Sequence, residues 1–147
     1  SKYRGYVTEK KRVFTKSPYS RHGKSEYFLD GDLIATENYS NGKKQGKSIT
    51  YQPFADCDGQ PWRVENYVKG VITNLKVYGC GDNNVYLSSE IIYRDGKEYE
   101  ISEYYENGNK ENVLRAHNDT NLCILYYENG NKKTELLDLC FIVKYKK

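Results

Sequence analysis

Between its turn signals the chain alternates. Val71, Thr73, Leu75 and Val77 recur at every second position. Val85, Leu87, Ser89, Ile91 and Tyr93 do the same, as do Tyr99, Ile101, Glu103 and Tyr105. A period of two, filled with β-branched and aromatic residues, predicts strands that turn one row of side chains to each face of a sheet. No segment sustains the apolar period of a helix. The best helical alternative, Lys110 to His117, is short and flanked by turn residues, and it is rejected.

The strands are punctuated. Asp30-Gly31, Asn41-Gly42, Lys69-Gly70, Asp95-Gly96, Asn107-Gly108 and Asn129-Gly130 are hairpin signals, because a tight turn needs positive φ at its central residues. Weaker clusters lie at residues 21–23, 55–59, 79–83 and 117–121, so that a turn falls every 11 to 15 residues from about residue 22 onward. Chained hairpins predict an all-β fold, an antiparallel meander of about ten strands. Successive turns then alternate between two rims, and the termini supply the edges. The Lys-rich end, Lys144 to Lys147, would discourage edge-to-edge pairing.

One segment is duplicated. Tyr104-Tyr105-Glu106-Asn107-Gly108-Asn109-Lys110 returns as Tyr126-Tyr127-Glu128-Asn129-Gly130-Asn131-Lys132, an offset of 22 residues. Such repetition points to a repeat architecture. Tyr39-Ser40-Asn41-Gly42-Lys43-Lys44-Gln45-Gly46 resembles the MORN-type repeat in its bacterial variant, Y-x-N-G-K-x-x-G, as found in YwqK-family antitoxin-like proteins. The resemblance covers about residues 26–140 of one domain spanning 1–147. The copies at Tyr93, Tyr105 and Tyr127 keep Tyr and the turn Gly but lose the final Gly, and the Tyr67 copy has Lys69-Gly70. The turns near Cys57 and Cys80 carry inserted residues. The resemblance implies a non-catalytic, single curved sheet of hairpins used for protein contacts, and sometimes proposed for lipid contacts.

Composition narrows the classes. The 147 residues suffice for a real core. A net charge of +3, from 23 basic and 20 acidic residues that interleave, falls short of a nucleic-acid footprint. No apolar run is long enough to span a membrane. Met is absent, which reads as a trimmed or processed chain and leaves room for a leader upstream of Ser1. The 16 Tyr suit half-exposed sheet positions.

The four Cys, at 57, 80, 123 and 140, show no metal-like cadence, and neither His lies near a Cys in sequence. In a meander, Cys57 and Cys80 sit in turns two apart and share a rim, so reach permits a disulfide. That tilts localisation slightly toward export. Cys123 faces Leu136 if Asn129-Gly130 is a two-residue turn. Cys140 then lies roughly 13 Å away, too far to bridge. Both read as small buried hydrophobes.

Candidate chemistry is sparse. His22 and His117 could serve as the acid–base pair of a small basic nuclease only if the register brings them together. Glu98 and Glu100 share a strand face on strict alternation, yet nothing separates their environments as paired-carboxylate chemistry requires. Asp56, Asp58, Asp82, Asn83 and Asn84 lack the spacing of a calcium loop. No phosphate-binding glycine loop occurs, and no cofactor is expected. Tyr39, Tyr67, Tyr93, Tyr105 and Tyr127 stand before turns. Most read as packing over neighbouring hairpins, while Trp62, Tyr67, Tyr78, Tyr93, Tyr105 and Tyr127 are the candidates for partner binding. The expected function is an immunity or antitoxin-like module that binds a protein, such as a toxin. An exported or envelope repeat protein is the alternative, and a nuclease-type toxin the distant one.

Overall fold

The structure, a computed structural model, describes residues 9–11, 15–16, 20–52, 57–82, 84–117 and 120–137. Asp56, Asn83, Cys140 and Lys144 to Lys147 lie outside the described residues. The strands are β1 (Glu9–Lys11), β2 (Thr15–Lys16), β3 (Ser20–Arg21), β4 (Gly23–Leu29), β5 (Asp32–Ser40), β6 (Lys43–Lys44), β7 (Gly46–Tyr51), β8 (Pro61–Val68), β9 (Val71–Cys80), β10 (Val85–Arg94), β11 (Lys97–Tyr104), β12 (Lys110–His117), β13 (Thr120–Tyr126) and β14 (Lys132–Leu137). Eleven of them run side by side in one antiparallel sheet, ordered β1-β4-β5-β7-β8-β9-β10-β11-β12-β13-β14. β6 joins the same sheet against β5, and β2 with β3 forms a separate ribbon. This is the expected meander, and Lys110–His117 is a strand within it.

The turns divide into two kinds. Asp30-Gly31, Asn41-Gly42, Lys69-Gly70 and Asp95-Gly96 hold both central residues at positive φ. That conformation matches the right-handed twist of the flanking strands. In the duplicated segments only Gly108 and Gly130 have positive φ. There the turn widens: Gly108 N donates to Tyr105 O at 2.9 Å and Tyr105 N to Asn109 O at 2.8 Å, and Tyr127 to Asn131 repeats the pattern. A register shift between Leu125 and Tyr126 compensates, so Cys123 does face Leu136.

Bulges also break strict alternation. Ser88 is an extra residue, so Leu87 opposes Tyr78 while Ser89 opposes Val77. The row Val85 to Tyr93 therefore changes phase against β9. Tyr99 is extra on β11, which sets Glu98 against Tyr93 and Glu100 against Ile92. Tyr93 and Ile92 are consecutive and point to opposite faces. Glu98 and Glu100 thus lie on opposite faces, contrary to the strict period, because one inserted residue inverts it.

Apart from the β2–β3 ribbon, the described residues form no second sheet that could bury the side chains of the first. The core is accordingly thin: Leu75, Val113, Cys123, Ile124 and Cys57 are its buried apolar residues among those described. Val113 and Ile124 oppose each other on one face, and Leu75, opposite Glu65 and Ile91, lies on the other. Small polar residues, Ser25, Thr36, Ser48 and Ser102, are buried as well. Longer neighbours must close over them, which explains the use of Tyr, Arg and Lys as covering residues.

Candidate functional site

The alternation of hairpins sorts the turns onto two rims. One carries Asp30-Gly31 and the turns at 57–60, 81–82 with 84, 105–109 and 127–131. The other carries residues 21–22, 41–42, 69–70 and 95–96. Cys57 and Cys80 share the first rim and are joined by a disulfide, with Cα atoms 6.1 Å apart. The bridge ties the loop before β8 to the end of β9. Gln52, buried, braces it by donating from Nε2 to Tyr78 O at 3.4 Å.

The six predicted contact residues do not form one stripe. Tyr67 and Tyr93 join Tyr39 near the second rim, on β8, β10 and β5. These are alternate strands of the sheet, so the rings recur roughly every 10 Å at ordinary strand spacing. Trp62 and Tyr78 flank the Arg63–Val77 pair at the disulfide end. Tyr105 and Tyr127 sit in the wide turns of the first rim. Trp62 is 44% exposed and Tyr127 52%, whereas the other four are half-buried. Tyr105 spends its hydroxyl on Tyr126 O at 3.0 Å, and Lys133 Nζ lies 5.6 Å from the Tyr127 ring centre.

The tyrosine row is held by a charged network. Glu37-Asn38-Tyr39 recurs as Glu65-Asn66-Tyr67. The period of two places each Glu beside its Tyr and turns the Asn to the opposite face. Tyr39 OH donates to Glu37 Oε2 at 2.7 Å, and Tyr27 OH donates to the same oxygen at 2.8 Å. Tyr67 OH donates to Glu65 in the same way. Lys44 Nζ is 3.0 Å from Glu37 and stands 5.1 Å from the Tyr67 ring centre, linking the two units. Arg21 lies 5.1 Å from the Tyr39 ring centre, and Arg63 Nε pairs with Glu65 at 2.6 Å. The recurring tripeptide was visible in the sequence, but its two copies are 28 residues apart and outside the 22-residue period, so the repeat pattern did not bring it out.

Protonation follows from these contacts. Burial pushes the Glu37 carboxyl up, but hydrogen bonds from Tyr39, Tyr27 and Lys44 outweigh it and leave the group below its ordinary value. Glu65 is likewise held low against burial by Tyr67 and Arg63. Burial, then the bond to Glu37, pushes Tyr27 up to about 12. Burial and Glu65 raise Tyr67 further. The sign of the linkage differs at the two ends of the pH scale. The carboxylates stabilise the fold above the ordinary value of 4.5 and lose that contribution as pH falls through their lowered folded values. Tyr27 contributes fully below 10.0 and loses its contribution as pH rises toward about 12. Thermal melts across pH should therefore show a plateau that declines below about pH 4.5 and again above about pH 10. Tyrosinate absorbance should lag behind that of free Tyr until the alkaline decline. A melting temperature that stays level from pH 8 to 12 would contradict the network.

The histidines are not brought together. His22 accepts from Asn41 N at 3.4 Å beside β4, and His117 ends β12 opposite Thr120. β4 and β12 are seven places apart in the sheet, roughly 34 Å at ordinary spacing.

The rims differ in charge. Counting each turn with the strand residues that directly flank it, the disulfide rim carries Asp30, Asp32, Asp58, Asp82, Glu106 and Glu128 against Lys110 and Lys132 among the described residues. The opposite rim presents Arg21, Lys43, Lys69, Arg94 and Lys97 around a single acidic turn residue, Asp95. A shallow depression on this basic rim is lined by Ser40, Asn41, Lys43, Gln45 and Lys69.

No family model matches the sequence, and no curated protein matches it. Among solved structures, a mutant of S. aureus TarM crystallised with fondaparinux, α-GlcNAc-glycerol and UDP is similar at 14% identity and a TM-score of 0.47. The match covers 95% of this chain and 23% of that one, and a likeness this slight carries no functional argument. No helix among the described residues is long and apolar enough to cross a membrane.

Proposed function

We propose that this chain is a protein-interaction module of MORN-like construction, of the immunity or antitoxin kind, that caps a partner protein without catalysing a reaction. The observation that carries this reading is a set of exposed apolar side chains on β8, β9 and β10, with Val68, Val71 and Ile92 toward the basic rim and Trp62 at the disulfide end. Trp62, Val68, Val71 and Ile92 are 44%, 51%, 47% and 38% exposed. Val68 and Val71 oppose each other across a hairpin. Exposed apolar side chains on a sheet suit contact with another protein, and Trp and Tyr are among the residues most often found at the centre of such contacts. Glu37 and Glu65 are engaged in holding tyrosines, which suits a preorganised surface. The test is affinity capture with the intact chain, comparing wild type with Trp62→Ala. Recovery of a protein partner by the wild type and its loss in the variant supports the reading. Recovery of none, with the purified chain binding lipid vesicles or sugar instead, overturns it.

A second reading, an exported or envelope-associated repeat protein, is favoured by the Cys57–Cys80 bridge, since disulfides persist mainly in oxidising compartments.

A further inference from the structure

We propose that the basic rim is a docking edge for an acidic segment of the partner protein, centred on Lys43 and Lys69. This rests on the reading of the chain as a protein-interaction module and specifies the chemistry of what it binds.

The turns of the rim are held against one another. Gly42 N donates to Arg21 O at 2.8 Å, and Gly70 N donates to Lys44 O at 2.9 Å. Lys69 N donates to Gln45 Oε1 at 2.7 Å. Three successive turns on this rim are thus laced to one another through backbone groups. The Lys43 side chain runs along Gly70: a Cβ placed there would stand 3.5 Å from Lys43 Cβ and 3.6 Å from its Cδ. Glycine, required by a φ of +86°, also leaves the lane in which that lysine lies. Lys43 and Lys69 are exposed and border the same depression. Neither forms one of the salt bridges of the neighbouring network, where Lys44 and Arg21 face Glu37. Asp95 and Glu98 are the acidic groups nearest this rim on the β10–β11 hairpin, where Arg94 and Lys97 flank them.

Alternation concentrates the charge. The overall balance of +3 conceals one mainly acidic and one mainly basic rim among the described residues, because successive turns alternate between the two rims. A net-charge argument misses this separation. Local potential, and not net charge, steers an oppositely charged surface to its docking edge. Ser40, Asn41 and Gln45 add polar groups suited to carboxylates and peptide carbonyls. An acidic protein segment fits better than nucleic acid, since the rings beside Lys43 and Lys69, those of Tyr39 and Tyr67, each have a cation over one face at 5.1 Å.

The experiment is fluorescence anisotropy with a labelled poly-glutamate 20-mer, against poly-lysine and single-stranded DNA and RNA 20-mers. The prediction is binding of poly-glutamate that weakens steeply with salt, and at least about tenfold weaker binding by the Lys43→Glu/Lys69→Glu double variant. Asp58→Asn/Asp82→Asn on the far rim should leave affinity within about twofold. Circular dichroism checks that both variants fold, and Lys43→Gln/Lys69→Gln serves if charge reversal disturbs the sheet. Absence of poly-glutamate binding, equal binding by the lysine variants, or tighter binding of either oligonucleotide overturns the proposal. The affinity capture described above separates the two claims. A protein partner recovered equally by wild type and lysine variants sinks the docking edge and leaves the module intact, whereas recovery of no protein partner sinks the module.

Discussion

Replacing Cys57 by Ala and Cys80 by Ser together should lower the unfolding free energy by about 3 kcal/mol. The bridge spans 23 residues, and closing a loop of that length removes roughly this much entropy from the unfolded chain. Small domains hold only about 5–15 kcal/mol in total, so the loss should shift the urea midpoint visibly. Reduction of the wild type with a thiol should reproduce it. The size of the effect follows from the architecture. In a meander nearly every strand contact is local, so a covalent link across one full hairpin constrains the chain in a way few other contacts do. It also holds the enlarged turn beside Trp62 and Tyr78. An unchanged midpoint in the double variant would mean that the unfolded chain already keeps these two segments close.

Leu75→Ala should cost about 3 kcal/mol, within the range for emptying a buried leucine site. Leu75 is 4% exposed, in the middle of β9, with Glu65 and Ile91 opposite it on either side. A single sheet has few such positions, so each one counts heavily. Val68→Ala is the matched control: the side chain is 51% exposed, and its loss should change stability by no more than about 0.5 kcal/mol. Chemical denaturation of both variants measures the contrast. Near-equal costs would show that the two faces are not organised around the buried residues at β9.

Much of the fold was legible in the sequence. The turn dipeptides located the hairpins, the period of two located the strands, and alternation of the rims put Cys57 beside Cys80. Where reading by period failed, bulges were the reason. Glu98 and Glu100 carry the same spacing as any pair on one face, and only the extra residue at Tyr99 separates them. The candidate surface was less legible. Tyr67, Tyr93 and Tyr127 occupy similar places relative to their own turns, yet Tyr127 lies on the opposite rim from the other two.

What the sequence determined by itself is local. Turn chemistry sets where the chain reverses, and side-chain alternation sets that it reverses as strands, because both depend on φ and pleat within a few residues. The tertiary structure decided what the reversals bring together. It stacked Glu37-Asn38-Tyr39 near Glu65-Asn66-Tyr67 through Lys44, laced three turns into a basic rim, and left Trp62, Val68, Val71 and Ile92 exposed on neighbouring strands. These outcomes depend on strand order and on register summed over several hairpins. One bulge changes the phase of every residue beyond it, so no local signal carries them.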